Sequence, residues 1–143
     1  MSGPVTNYAE LAKSISARIG TLRTSTPEVM KGFNDLGRAA TADGVLDKKT
    51  KELIALALSV AARCDPCIAF HTQALVKLGA TRQELDETLG VTTYMGGGPS
   101  LMYAANAVAA IITAPGAPIG RHPAPVWLRV RMAAYFGSGH EKR

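Results

Sequence analysis

From Tyr8 to Thr113 the apolar residues recur at intervals of three and four, and no stretch of useful length alternates apolar with polar. A chain patterned this way buries its apolar side by packing helix on helix, so an all-α fold is expected. Tyr8, Leu11, Ile15 and Ile19 mark one stripe on a first helix ending at Gly20. Thr26, Pro27 and Glu28 supply a cap, a first-position proline and a first-turn acid for a second helix, on which Met30, Phe33, Leu36 and Ala40 face inward. Asp47 caps a third, Lys48 to Ala62, whose second half, LIALALSVAA, is apolar on every side. Such a helix lies in a core or in a subunit interface. Asp65-Pro66 starts the next, Pro66 to Leu78, with Asp65 as its cap and Gly79 closing it in the left-handed conformation. Thr81 and Glu84 form a capping box for another. After the glycines at 96–98, Pro99 opens a last helix to about Thr113, and Tyr94 and Tyr103 suit core positions better than a pocket lining.

A chain of 143 residues is one domain's length, and 47% hydrophobic against 19% charged residues is too apolar for a disordered chain. The expected division is a helical domain over 1–114, with its motif-bearing core at 47–113, and a tail over 115–143. Four prolines between Pro115 and Pro125 make the start of that tail an extended connector. Val126 to Phe136 suits a short amphipathic helix, for which docking on a neighbouring subunit is the simpler reading and a membrane surface the other. The end, GSGHEKR, is expected to be disordered, with His122 and His140 solvated. The net charge of +5 is concentrated there: the tail carries +4 through Arg121, Arg129, Arg131, Lys142 and Arg143 against Glu141. The folded body therefore lacks the basic stripe of a nucleic-acid binder. The apolar block Leu101–Ala114 falls short of the roughly 20 residues needed to span a bilayer, and the N-terminus shows no signal-peptide pattern. A cytoplasmic protein without membrane or nucleic-acid partners is expected.

The chemistry concentrates at Cys64-Asp65-Pro66-Cys67 and His71. At 3.6 residues per turn Cys64, Cys67 and His71 share one face of a helix. A helix start offers both sulfurs unpaired backbone N–H groups and the positive end of the dipole, which lower a thiol's pKa and favour the reactive thiolate. His71 is the i+4 neighbour of Cys67, whereas Cys64 lies about 10 Å further along the axis. Cys67 therefore has the adjacent base, and Cys64 is placed to close a disulfide on it. Glu52, twelve residues before Cys64, would sit about 18 Å away on a straight helix. If the chain turns at Asp65-Pro66 and folds back, Glu52 comes within reach of His71 and can set its tautomer. Two plainer readings stand beside this one. The cysteines are small buried hydrophobes, or with His71 and either Glu52 or His122 they form a four-ligand zinc site.

The spacing of Glu52, Cys64, Cys67 and His71 resembles the E-x11-C-x-x-C-x3-H signature of AhpD-like alkylhydroperoxidases, within the carboxymuconolactone decarboxylase family. Gly79-Ala80-Thr81, Glu84-Leu85 and Tyr94-Met95-Gly96-Gly97-Gly98-Pro99 are also similar to that family, and the match runs from about Asp47 to Thr113. The resemblance implies an all-helical, oligomeric bundle, a trimer or a hexamer. It also implies hydroperoxide reduction in which Cys67 becomes a sulfenic acid, Cys64 donates a proton and then resolves it, and His71 and Glu52 form a proton relay. The implied partners are a small hydroperoxide and a dithiol donor such as a lipoyl group or a thiol-reductase protein. No cofactor and no bound metal are expected. Where the reference alkylhydroperoxidases often carry a histidine between the cysteines, this chain has Asp65 and Pro66, and a carboxylate there raises a thiol's pKa by like charge. The family's lactone or decarboxylase chemistry is the alternative enzyme reading, and it has no need of two thiols. A redox-sensing or zinc-holding oligomer is the non-enzymatic one.

Overall fold

The computed structural model describes residues 6–116, which form five helices and, among them, no strand. The amphipathic segment and basic end expected beyond Pro115 lie, from residue 117 on, outside the described residues. Helix α1 (Tyr8–Ser25) is capped by Asn7, whose side chain accepts from the amides of Ala9 and Glu10. It runs one and a half turns beyond the expected stop at Gly20. A single glycine costs a helix only about 1 kcal/mol, and the hydroxyls of Thr21, Thr24 and Ser25 donate to carbonyls of the preceding turn. Helix α2 (Pro27–Thr41) begins at the expected proline. Its apolar face does not turn inward as expected. Val29, Phe33 and Leu36 are 70%, 68% and 66% exposed, and no residue of α2 is buried.

Helix α3 (Lys48–Ala61) starts at Asp47, which accepts the Thr50 amide at 2.7 Å. Leu56 and Val60 are fully buried, whereas Ile54 and Leu58, on the other side of this all-apolar segment, are exposed. Helix α4 (Asp65–Lys77) buries Ile68, Ala69 and Leu75 against them. Helix α5 (Arg82–Thr113) opens with the capping box of Thr81 and Glu84 and buries Leu85 and Leu89 in its first half. Its second half presents Ala104, Ala107 and Ala110 three residues apart, and side chains this small bring α5 close to the core. Each buried leucine or isoleucine contributes about 1.5–3 kcal/mol of transfer free energy.

The two halves of α5 meet at Gly97, whose φ of 64° and ψ of −156° lie where only glycine is comfortable. One residue earlier, a Cβ on Gly96 would collide with the Ser100 side chain. The glycine run thus permits both the break and the close approach beside it. Tyr94, just before it, is 84% exposed in this chain, against the core position expected, while Tyr103 is half-buried against the core. Leu58, Val91 and Met95 line an open apolar cavity of about 260 Å³ between α3 and α5. No described helix is long and apolar enough to cross a membrane.

Candidate active site

The site is built where α3 ends and α4 begins. The Arg63 amide donates to the Val60 carbonyl and the Cys64 amide to that of Ser59, the paired bonds of a Schellman cap. Such a cap needs one residue in the left-handed region, and that residue is Arg63, with φ 57°. The next residue, Cys64, serves twice. It completes the cap of α3 and is the N-cap of α4, its sulfur accepting the Cys67 amide at 3.3 Å. Asp65 was expected in the capping role. The structure starts the helix one residue earlier, with Asp65 as first helical residue and Pro66 as second, so the Asp65 carboxylate is free to bond elsewhere.

Cys64 and Cys67 are joined in a disulfide, with Cα atoms 5.2 Å apart. Both are partly exposed, on the first turn of α4, where backbone N–H groups stabilise negative charge on sulfur. One turn beyond Cys67, His71 Nδ1 lies 2.7 Å from Glu52 Oε2. A carboxylate accepts, so Nδ1 carries the proton and Nε2 of the neutral ring is left as the acceptor. Glu52 is only 6% exposed, so this carboxylate is buried rather than on the surface. The turn at Arg63 is what folds α3 back along α4 and brings together two residues nineteen positions apart. Among the described residues no three or more His, Cys, Asp and Glu side chains are grouped to hold a metal ion.

Two neighbours were not foreseen. The hydroxyl of Tyr8, the first residue of α1, donates to Asp65 Oδ1 at 2.7 Å, and Asn106 Nδ2 on α5 approaches the same oxygen at 3.4 Å. Burial first, then the hydrogen bond to Asp65, holds the Tyr8 phenol protonated well above its ordinary range. Tyr8 reads in the sequence as one more member of an apolar stripe. Nothing local signals a partner 57 residues away.

Fold and site together define an all-helical dithiol protein, in which a disulfide-bearing helix start is backed by a glutamate–histidine pair. Residues 27–110 match the carboxymuconolactone decarboxylase family, and the chain belongs to it. It is similar to an uncharacterised protein of Cupriavidus necator, 44% identical over 95 residues, covering 66% of this chain and 84% of the relative. It is also similar to a protein of the cox locus of Paracoccus denitrificans, 32% identical, covering 71% and 92%. Among solved structures, a carboxymuconolactone decarboxylase family protein of Legionella pneumophila, in its apo form, superposes with a TM-score of 0.71 at 59% identity over 72% of this chain and 92% of that one. A family member from Thermotoga maritima, for which a part in an antioxidative response has been suggested, gives 0.63 at 25% identity over 90% and 96%.

Proposed function

We propose that the chain is a thiol-dependent peroxidase that reduces small hydroperoxides through the Cys64–Cys67 pair. The observation that carries this reading is the hydrogen-bonded Glu52–His71 pair one helical turn beyond the cysteines. In the reduced protein His71 Nε2 takes the Cys67 proton, and Glu52 holds the ring in the tautomer that leaves Nε2 free to do so. The Cys67 thiolate attacks the terminal oxygen of the hydroperoxide. An S–O bond forms, the O–O bond breaks, and the alcohol leaves with the proton returned by His71. Cys64 then attacks the sulfenic sulfur, forming the disulfide and releasing water. An external dithiol, such as a lipoyl group or a thiol-reductase protein, supplies the two electrons that restore the thiols. The antioxidative part suggested for the Thermotoga maritima relative agrees with this reading.

The test is turnover of an organic hydroperoxide with dihydrolipoamide as donor. Cys67→Ser is expected to abolish peroxide consumption, and Cys64→Ser to leave a sulfenic acid or mixed disulfide on Cys67, read by trapping and mass spectrometry. A sulfenic acid found on Cys64 would reverse the two roles.

The same reading takes the working form to be a closed homo-oligomer of three or six subunits. What supports this is the apolar surface left exposed among the described residues, Val29, Phe33 and Leu36 on α2 and Leu58, Val91 and Met95 at the α3–α5 groove. Light scattering should report such an assembly, and a stable monomer at micromolar concentration would sink that part of the proposal.

A further inference from the structure

An aspartate between two redox cysteines is an awkward choice, because a carboxylate beside a thiol raises its pKa and depletes the thiolate that reacts. Asp65 is not left loose, however. Tyr8 from α1 and Asn106 from α5 both direct donors at its Oδ1, at 2.7 and 3.4 Å, and Tyr8 is 3% exposed. The ring of a phenylalanine would fill the same space. Only the hydroxyl makes the bond to Asp65, and it stays protonated through the working pH range, so it is a permanent donor. As the first residue of α4, Asp65 also lies at the positive end of that helix. Two donors and a helix start fix such a carboxylate in place, and their positive ends offset part of its field.

We infer that Tyr8 is a positioning residue for the dithiol: with Asn106 it clamps the Asp65 carboxylate so that its charge does not suppress ionisation of Cys67. The inference rests on the thiol reading of the site and goes beyond it by giving α1, which carries no cysteine or histidine, a share in setting thiol reactivity. Other titratable groups on the elements packed around the start of α4 include Glu52 on α3, His71 on α4 itself, Tyr103 on α5, Glu10 on α1 and Arg63 in the preceding turn. None of these is changed by the variants that test the clamp.

The experiment is the pH profile of iodoacetamide capture of the reduced, full-length protein, with Cys64 and Cys67 followed separately by peptide mass mapping. Tyr8→Phe is expected to move the Cys67 midpoint up by about half to one pH unit, leaving roughly three- to tenfold less thiolate at neutral pH. Asp65→Asn keeps an acceptor for Tyr8 but removes the charge, and is expected to move the midpoint down. In the Asp65→Asn background, Tyr8→Phe should move nothing further, since no charge remains to be clamped. A residue that only packs would change stability and leave the midpoint in place. The inference is overturned if Tyr8→Phe leaves the profile unmoved, or moves it equally with and without Asp65. Should Tyr8→Phe not fold, Asn106→Ala and Asp65→Asn still decide, because both must then shift the midpoint, in opposite directions. Hydroperoxide plays no part in this measurement. A chain that shows the shifts but turns over no hydroperoxide would refute the peroxidase proposal and leave the clamp standing.

Discussion

The turns on either side of α4 share one backbone design and differ in the residue on which it depends. At the far end the Gly79 amide bonds to the Val76 carbonyl and the Ala80 amide to that of Leu75, with Gly79 at φ 70°. At the near end the same pair of bonds is made around Arg63, at φ 57°. Glycine adopts the left-handed conformation without strain, whereas a residue with a side chain is disfavoured there by roughly 1–2 kcal/mol. The far turn also has one residue more. Ala80, buried, completes the cap of α4, and Thr81 then opens α5, while at the near end Cys64 does both jobs. The relaxed turn only connects. The strained and shortened one places a sulfur at a helix start, as expected where the surroundings hold an unfavourable conformation for the sake of a site.

The widest separation between the two ends should appear in turnover. His71→Ala is expected to slow the peroxide step by about 10² to 10⁴, the usual worth of a positioned acid or base, and Glu52→Gln by less, since it orients the ring without carrying the proton. Both should recover in part at alkaline pH, where a free thiol near pKa 8.5 ionises unaided. Stopped-flow peroxide consumption against pH reads this, and a His71→Ala defect that ignores pH would make His71 a packing residue.

A smaller difference lies in stability. Gly79→Ala should destabilise by about 1–2 kcal/mol with the peroxide step unchanged, whereas Arg63→Gly should relieve strain and stabilise by up to about 1 kcal/mol. Chemical denaturation of the two variants checks the opposite signs. If both destabilise equally, the near turn carries no more strain than the far one.

The smallest effect concerns Tyr8. Its folded pKa is raised above the unfolded value of 10.0, so its contribution is complete below that pH and is lost as the pH rises beyond it toward the folded value. Tyr8→Phe should therefore be less stable than the parent at neutral pH and converge on it above pH 10. A constant gap across that range in a pH series of melts would assign the loss to packing.

Much of this arrangement was legible in the sequence. Asp47, Thr81 with Glu84, and Pro27 are local signals, and they mark helix starts where the structure has them. Glu52 was legible through spacing combined with resemblance, because a turn before α4 was needed to make its distance useful. What escaped has physical reasons too. Phe33, Leu36 and Tyr94 carry the pattern of core residues, and the pattern states only that a face is apolar, not what covers it. Arg63 belongs to no class that favours the left-handed region. The bond from Tyr8 to Asp65 joins helices distant in sequence, and Asp65 was available for it only because Cys64 had taken the cap.

That double duty of Cys64 bears on endurance under oxidant. On the peroxidase reading, a sulfenic acid on Cys67 faces two competing fates: condensation with its neighbour, or a second oxidation to the sulfinic acid, which is in general irreversible. The first needs no unfolding, because both cysteines lie within the opening turn of one helix, with Cα atoms 5.2 Å apart. The second requires another collision with hydroperoxide. The race is thus between an intramolecular event of fixed rate and an encounter that quickens only with dose, and so short a tether gives the first a wide lead over inactivation.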